Sequence, residues 1–270
     1  MPNGKNDWPI FQPIPDILCL DKNRPHSILN ILLLMKKLLL LLVFFLVFSN
    51  SFAQKTELRI ALNSGLFSFT GESAQSNTSI NYSDQNNSGY TNNPYGSKSE
   101  LSYGLSGNVR RVTKKYFILG LDLGYERLSG KITINKINGF TGNSTYQYDA
   151  SGKTHLNFHV INLNPYLGHR FNFKQISLDA TGGFDVGYIL SAIEKGSAKD
   201  MNGREYTTSI DRKTINLDVR PRVQLAINYQ KAGIYAGYSY GFINYKREYV
   251  GGTNECRSRM LRFGITYQLN

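Results

Sequence analysis

Few residues in this chain have the types and spacing that chemistry requires. His155 and His159 share a strand parity, yet positions four apart on a strand lie about 13 Å from each other, too far for one metal ion to bridge. His169 falls beyond a break in the alternation of that segment. Cys256 has no histidine beside it in sequence and reads as a free surface thiol rather than a nucleophile. The chain shows no Walker loop, no HExxH, no CxxC pair and no Gly-x-Ser-x-Gly elbow. No catalytic, cofactor-binding or metal-ligating residue is therefore assigned, and no cofactor or enzymatic activity is expected. The sequons Asn77-Thr78-Ser79, Asn81-Tyr82-Ser83 and Asn143-Ser144-Thr145 read as polar, exposed loops.

The most informative constellation is a set of charges at alternate positions. Arg59, Glu100, Arg110, Asp122, Glu126, Arg170, Asp179, Asp185, Asp218, Arg220, Arg222 and Arg262 all fall on the polar parity of segments whose other parity is apolar. Both signs are present. Gathered inside a narrow barrel, such charges persist only when paired and hydrogen-bonded, so they predict a salt-bridged plug rather than a channel. A carboxylate-based site in an open cleft is the alternative.

Those positions require strands. From Ile215 to Tyr229 one face carries Ile215, Leu217, Val219, Pro221, Val223, Leu225, Ile227 and Tyr229, and the other Asn216, Asp218, Arg220, Arg222, Gln224, Ala226 and Asn228. A helix, with its period of 3.6, would not sort side chains this way. Phe117–Glu126, Ile176–Tyr188 and Leu261–Leu269 repeat the pattern, and 56–69, 100–112, 154–171 and 233–245 follow it less tightly. The phase slips between Val160 and Ile161, which predicts a β-bulge.

Eight strands are thus expected. Short connectors at Thr113-Lys114-Lys115, Asn172-Phe173-Lys174 and Gln230-Lys231-Ala232 alternate with long ones at 70–99, 135–153, 194–213 and 247–256. Short turns on one side and long loops on the other describe a barrel that crosses an outer membrane. Apolar-face aromatics gather near strand ends: Phe117, Phe171, Tyr229 and Tyr267 at one rim, Tyr125, Tyr188 and Tyr240 toward the other. A soluble barrel with its apolar face turned inward around a ligand shares the same alternation.

The beginning of the chain favours export. Lys36 and Lys37 precede the apolar run Leu38 to Phe48, and Ser51-Phe52-Ala53 follows with small residues at −3 and −1. This is the layout of a Sec signal peptide at 35–53, cleaved between Ala53 and Gln54. The run is short of the roughly 20 residues of a membrane helix. Residues 1–34, rich in proline, read as an upstream extension, with translation starting at Met35. Residues 54–270 form the barrel domain and keep most of the formal net charge of +12. For an exported protein, anionic lipid headgroups or surface polysaccharide are more suitable neighbours than nucleic acid.

With its signal peptide, Ala53-Gln54 junction, eight alternating segments and asymmetric connectors, residues 54–270 resemble the small outer-membrane β-barrel proteins of the porin-T-like and eight-stranded outer-membrane-protein families. The resemblance implies an all-β, eight-stranded antiparallel up-and-down transmembrane barrel with short periplasmic turns and long extracellular loops. It also implies location in a Gram-negative outer membrane and contact with outer-membrane lipid, lipopolysaccharide included. The barrel-assembly machinery and an extracellular or envelope protein would be the protein partners. The expected role is interaction, adhesion or envelope structure. A membrane enzyme acting on lipid or peptide at the rim, and a soluble periplasmic ligand-binding barrel, are the other two classes.

Overall fold

The computed structural model describes residues 53–247 and 254–270. The expected upstream extension 1–34 and all but the last residue of the expected signal peptide lie outside the described residues. So does part of the connector at 247–256.

The described residues are all β, with no helix. They form eleven strands rather than the eight expected: β1 Ala53–Thr70, β2 Asn77–Ser83, β3 Ser88–Thr91, β4 Lys98–Thr113, β5 Phe117–Phe140, β6 Thr145–Phe173, β7 Ile176–Asp200, β8 Glu205–Asp211, β9 Leu217–Tyr229, β10 Ala232–Tyr240 and β11 Arg257–Gln268. The additional strands come from segments that were expected to be loops. β2 and β3 lie in 70–99, β8 lies in 194–213, and β5 and β6 run on through 135–153 to a turn at 141–144. The sequons at Asn77 and Asn81 therefore stand on a strand.

Antiparallel pairing runs β1–β4–β5–β6–β7–β9–β10–β11 and returns from β11 to β1, so these eight strands close a ring. A second ring shares β5, β6 and β7 with the first. In it β2 pairs with β5 in parallel, β3 with β2, β3 with β8 in parallel, and β8 with β7. The three long strands thus carry a six-stranded extension beyond the main ring. The two parallel pairings depart from the purely antiparallel pattern expected.

The turns of the main ring that join β6 to β7 and β9 to β10 hold two residues each, with Lys174 and Gln230 at positive φ. Such tight turns fix register, and a slip of one residue would exchange the two faces of a strand. The phase change in β6 appears as a register shift between His159 and Val160, opposite Ser191 and Ile189, one residue from where the alternation places it. Pro221 sits inside β9 opposite Phe184.

Side chains on the main ring are sorted inside out relative to a soluble protein. Leu167 is 69% exposed and Val223 63%, whereas Arg220 and Asp185 are fully buried. Leu58, Ile60, Leu62, Leu105, Leu123, Leu225, Ile234 and Ile265 belong to the same exposed apolar belt. The aromatics expected at its rims, among them Phe117, Phe171, Tyr229, Tyr267, Tyr125 and Tyr188, are exposed on it.

Candidate functional site

The interior of the main ring is the first candidate site. It is built by the inward parity of all eight strands and has two charged tiers. Nearer the two-residue turns, Glu57 of β1 accepts from Arg110 Nε at 2.7 Å, Arg170 Nη1 at 2.8 Å and Arg59 Nη2 at 2.9 Å. Asp179 of β7 takes Arg170 Nε at 2.7 Å and Arg110 Nη1 at 2.8 Å. Asn228 donates to Asp179 at 2.9 Å, and Arg59 donates to Gln268 at 3.1 Å.

In the second tier, Arg262 of β11 donates to Glu126 of β5 and to Asp185 of β7, the latter at 3.0 Å. Arg222 reaches Asp185 at 3.2 Å and Asp122 at 3.9 Å. Arg220, the most deeply buried base, faces Asp218, Glu126 and Asp185 at 3.7, 3.8 and 4.0 Å. Asp218 is held by the hydroxyls of Tyr245 and Ser258 at 2.8 and 2.7 Å. Between the tiers, Tyr166, Tyr235, Asn63 and Ser106 leave a cavity of about 40 Å³, room for a water or two. Tyr166 lies directly over Gly120 on the neighbouring strand. A Cβ there would stand 2.2 Å from its ring, so glycine is required.

Of the twelve charges that the alternation puts on the polar parity, the structure has eleven facing the interior of the ring, and Glu100 faces elsewhere. Glu100 pairs with Lys131 at 3.0 Å and His155 at 3.6 Å, on the outer face. The cause is a register shift of β4 against β5 between Ser99 and Tyr103, which strict alternation does not anticipate. Glu57 was missed although it has the parity of Arg59. With Glu57 in and Glu100 out, the interior holds six arginines and six carboxylates among the described residues.

Above the charged tiers an apolar cluster fills the far end of the ring. Phe67, Phe69, Tyr95, Phe158 and Tyr245 pack edge to face, with centroids 5.0 to 6.1 Å apart. Cys256 belongs to this cluster and is fully buried, which corrects its reading as a surface thiol. Burial pushes the thiol up to about 12, with Lys246 opposing. Lys246 is itself lowered by burial, Cys256 opposing.

The extension has its own core of Ile80, Tyr82, Ile134, Ile137, Ala198 and Tyr206. Glu194, fully buried, pairs with Arg212 and accepts from Thr91 at 2.7 Å, tying β7 to β3. At the far tip an uncharged cleft of about 790 Å³ is lined by Asn81, Asn138 and Gln147 together with Tyr90 and Phe140. The histidines are dispersed: His155 beside Glu100, His159 beside Tyr125, and His169 against the rings of Phe117 and Phe171. Among the described residues no group of three or more His, Cys, Asp or Glu is placed to hold a metal ion.

No protein-family model and no curated protein sequence matches the chain. Among solved structures it is similar to Ail, the attachment invasion locus protein of Yersinia pestis, crystallised with the heparin analogue sucrose octasulfate, at 11% identity and a TM-score of 0.33 over 80% of this chain and all of that one. It is similar also to Neisserial surface protein A, at 10% identity and a TM-score of 0.33 over 80% of this chain and all of that one. These scores are too low for a fold or function to be transferred.

Proposed function

We propose that the main ring is an eight-stranded up-and-down β-barrel that crosses a Gram-negative outer membrane. In this reading its short turns are periplasmic, its lumen is sealed, and the six-stranded extension stands outside the cell. The carrying observation is the inversion of the wall. Apolar side chains cover the outside of the main ring while twelve charges face its interior, ten of them buried and Asp122 and Arg170 nearly so. In water such a belt would be far larger than the few hundred Å² that monomers expose. Within hydrocarbon it is the favoured surface, and closure of the ring leaves no unpaired strand edge there. A soluble ligand-binding barrel would need the opposite sorting.

Sealed by ion pairs and aromatic rings, the lumen offers a substrate no path. The protein therefore acts by contact. The rigid extension, with its uncharged cleft, presents the surface that an extracellular or envelope partner would meet. Envelope fractionation with a heat-modifiability gel tests the reading. A form that needs detergent for extraction and migrates faster unheated is expected. Release into the periplasm without detergent would overturn it, and turnover of lipid or peptide by the purified protein would replace it with the enzymatic class.

A further inference from the structure

On the outer face of the extension's base, basic side chains stand in cross-strand register. Lys98 of β4 faces Lys131 of β5, Lys131 faces His155 of β6, and His155 faces Lys195 of β7. Four residues nearer the apolar belt along each strand, after an intervening Ser129–Asn157 pair, Arg127 stands opposite His159. Lys153 stands in the next outward row, between Thr133 and Ser197. Among the described residues the outward acids on this face are Glu100, bound to Lys131 and His155, and Asp211, opposite Ile193. Five fixed cations thus meet two carboxylates.

Like charges directly opposite each other on neighbouring strands destabilise a sheet. These positions face solvent, and any polar residue would satisfy them, so the fold does not explain the row. Its place in the wall does. Arg127 lies at the aromatic rim of the belt: its guanidinium sits 5.8 Å over the Tyr103 ring and donates to Tyr103 Oη at 3.0 Å and Asn157 Oδ1 at 3.1 Å. The lysine row begins about 13 Å further along the strands. Burial holds His155 below its ordinary range, with Glu100 opposing and Lys153, Lys131 and Arg127 reinforcing, so it is neutral at pH 7 and the lysines carry the charge.

We propose that Lys98, Arg127, Lys131, Lys153 and Lys195 form a docking face for phosphate-bearing headgroups of the outer-leaflet glycolipid. The proposal rests on the membrane reading given above. Continuity with the apolar belt selects a lipid over a free anion, because acyl chains packed on the belt deliver the headgroup to this height. Four strands about 4.8 Å apart also make a row long enough to meet more than one phosphate.

The test uses the full mature barrel in detergent, with lipid A carrying two phosphates and lipid A stripped of them as probes. Wild type should bind the phosphorylated form selectively. Lys131→Gln/Lys195→Gln should weaken it roughly thirtyfold, at about 1 kcal/mol per cation near an anionic surface. Glu100→Gln should tighten it. Equal binding of both lipids, or an unchanged double variant, overturns the proposal, as does displacement by millimolar inorganic phosphate, which would mark a free-ion site. Heat-modifiability of each sample separates this failure from that of the membrane reading: a barrel that does not insert at all removes both.

Discussion

Arg170 of β6 donates to Glu57 of β1 at 2.8 Å, although β4 and β5 stand between those strands in the wall. The bond crosses the lumen. Arg110 and Arg59 converge on the same carboxylate, so one acid on β1 links three strands of the ring.

Glu57→Gln should therefore be among the most damaging single changes in the barrel. It leaves Arg59, Arg110 and Arg170 with Asp179 as their one carboxylate. The expected loss is on the order of 3 kcal/mol, the cost of stranding buried charge. Reversible urea unfolding in detergent measures it. Adding Arg170→Met should recover part of the loss, and a double variant no better than the single one would argue against the pairing.

Arg262→Leu should cost more than Arg220→Leu. Arg262 is hydrogen-bonded to Glu126 and Asp185, whereas Arg220 meets its carboxylates at 3.7 to 4.0 Å. With Arg220 gone, Asp218 still has Tyr245 and Ser258, and Asp185 still has Arg222 and Arg262. A loss of about 1 kcal/mol for Arg220→Leu against about 3 for Arg262→Leu is expected. The reverse ranking in the same unfolding assay would overturn this reading of the second tier.

Why the main ring was legible and the extension was not follows from particular side chains. In β9 every outward residue from Leu217 to Tyr229 is apolar and every inward one polar or small, so a period of two stands out. In β2 the outward residues are Asn77, Ser79, Asn81 and Ser83, and the inward apolar pair is Ile80 and Tyr82. Between two apolar residues there is little period to detect, and the Asn-Ser-Thr composition is that of a loop. Glu194 and Arg212 were hidden for the same reason. Glu100 was lost to a register shift that only the partner strand defines.

Cys256 gives a pH-dependent prediction. Its thiol is raised by burial to about 12, against about 8.5 for an exposed one. Because the folded value is the higher one, the stabilisation is present in full below about 8.5 and is lost as pH climbs toward 12. Relative to Cys256→Ala, the wild type should therefore lose stability across that window. At pH 8 iodoacetamide should label folded protein roughly a thousandfold more slowly than unfolded protein, since only the thiolate reacts. Equal rates would mean that the apolar cluster opens readily.

In planar bilayers the purified barrel should show no steady conductance. The interior space between the charged tiers is about 40 Å³, and Phe67, Phe69, Phe158 and Tyr245 close the end beyond them. Stable single-channel openings of porin size would refute both the sealed lumen and the eight-stranded wall.

Orientation gives the last prediction, and the extension sharpens it. Were 135–153 and 194–213 flexible loops, trypsin added to whole cells would cut at Lys136, Lys153, Lys195 and Lys199. All four lie within the paired strands β5, β6 and β7, where the backbone is held in register on both sides. A protease needs several residues of free, extended chain, which paired strands withhold. Arg204 differs: it lies in the turn between β7 and β8, its side chain about half exposed and anchored mainly by Asp84. Trypsin on intact cells should therefore cut first after Arg204 and spare the four strand lysines. Lys115, Lys174 and Lys231, in or beside the short turns that the proposed orientation puts in the periplasm, should be cut only once the outer membrane is breached. Mass spectrometry of the fragments reads the order of cleavage. Early cuts at Lys174 or Lys231 in intact cells would invert the topology, and early cuts at Lys153 or Lys195 would show that the six-stranded extension does not hold together outside the cell.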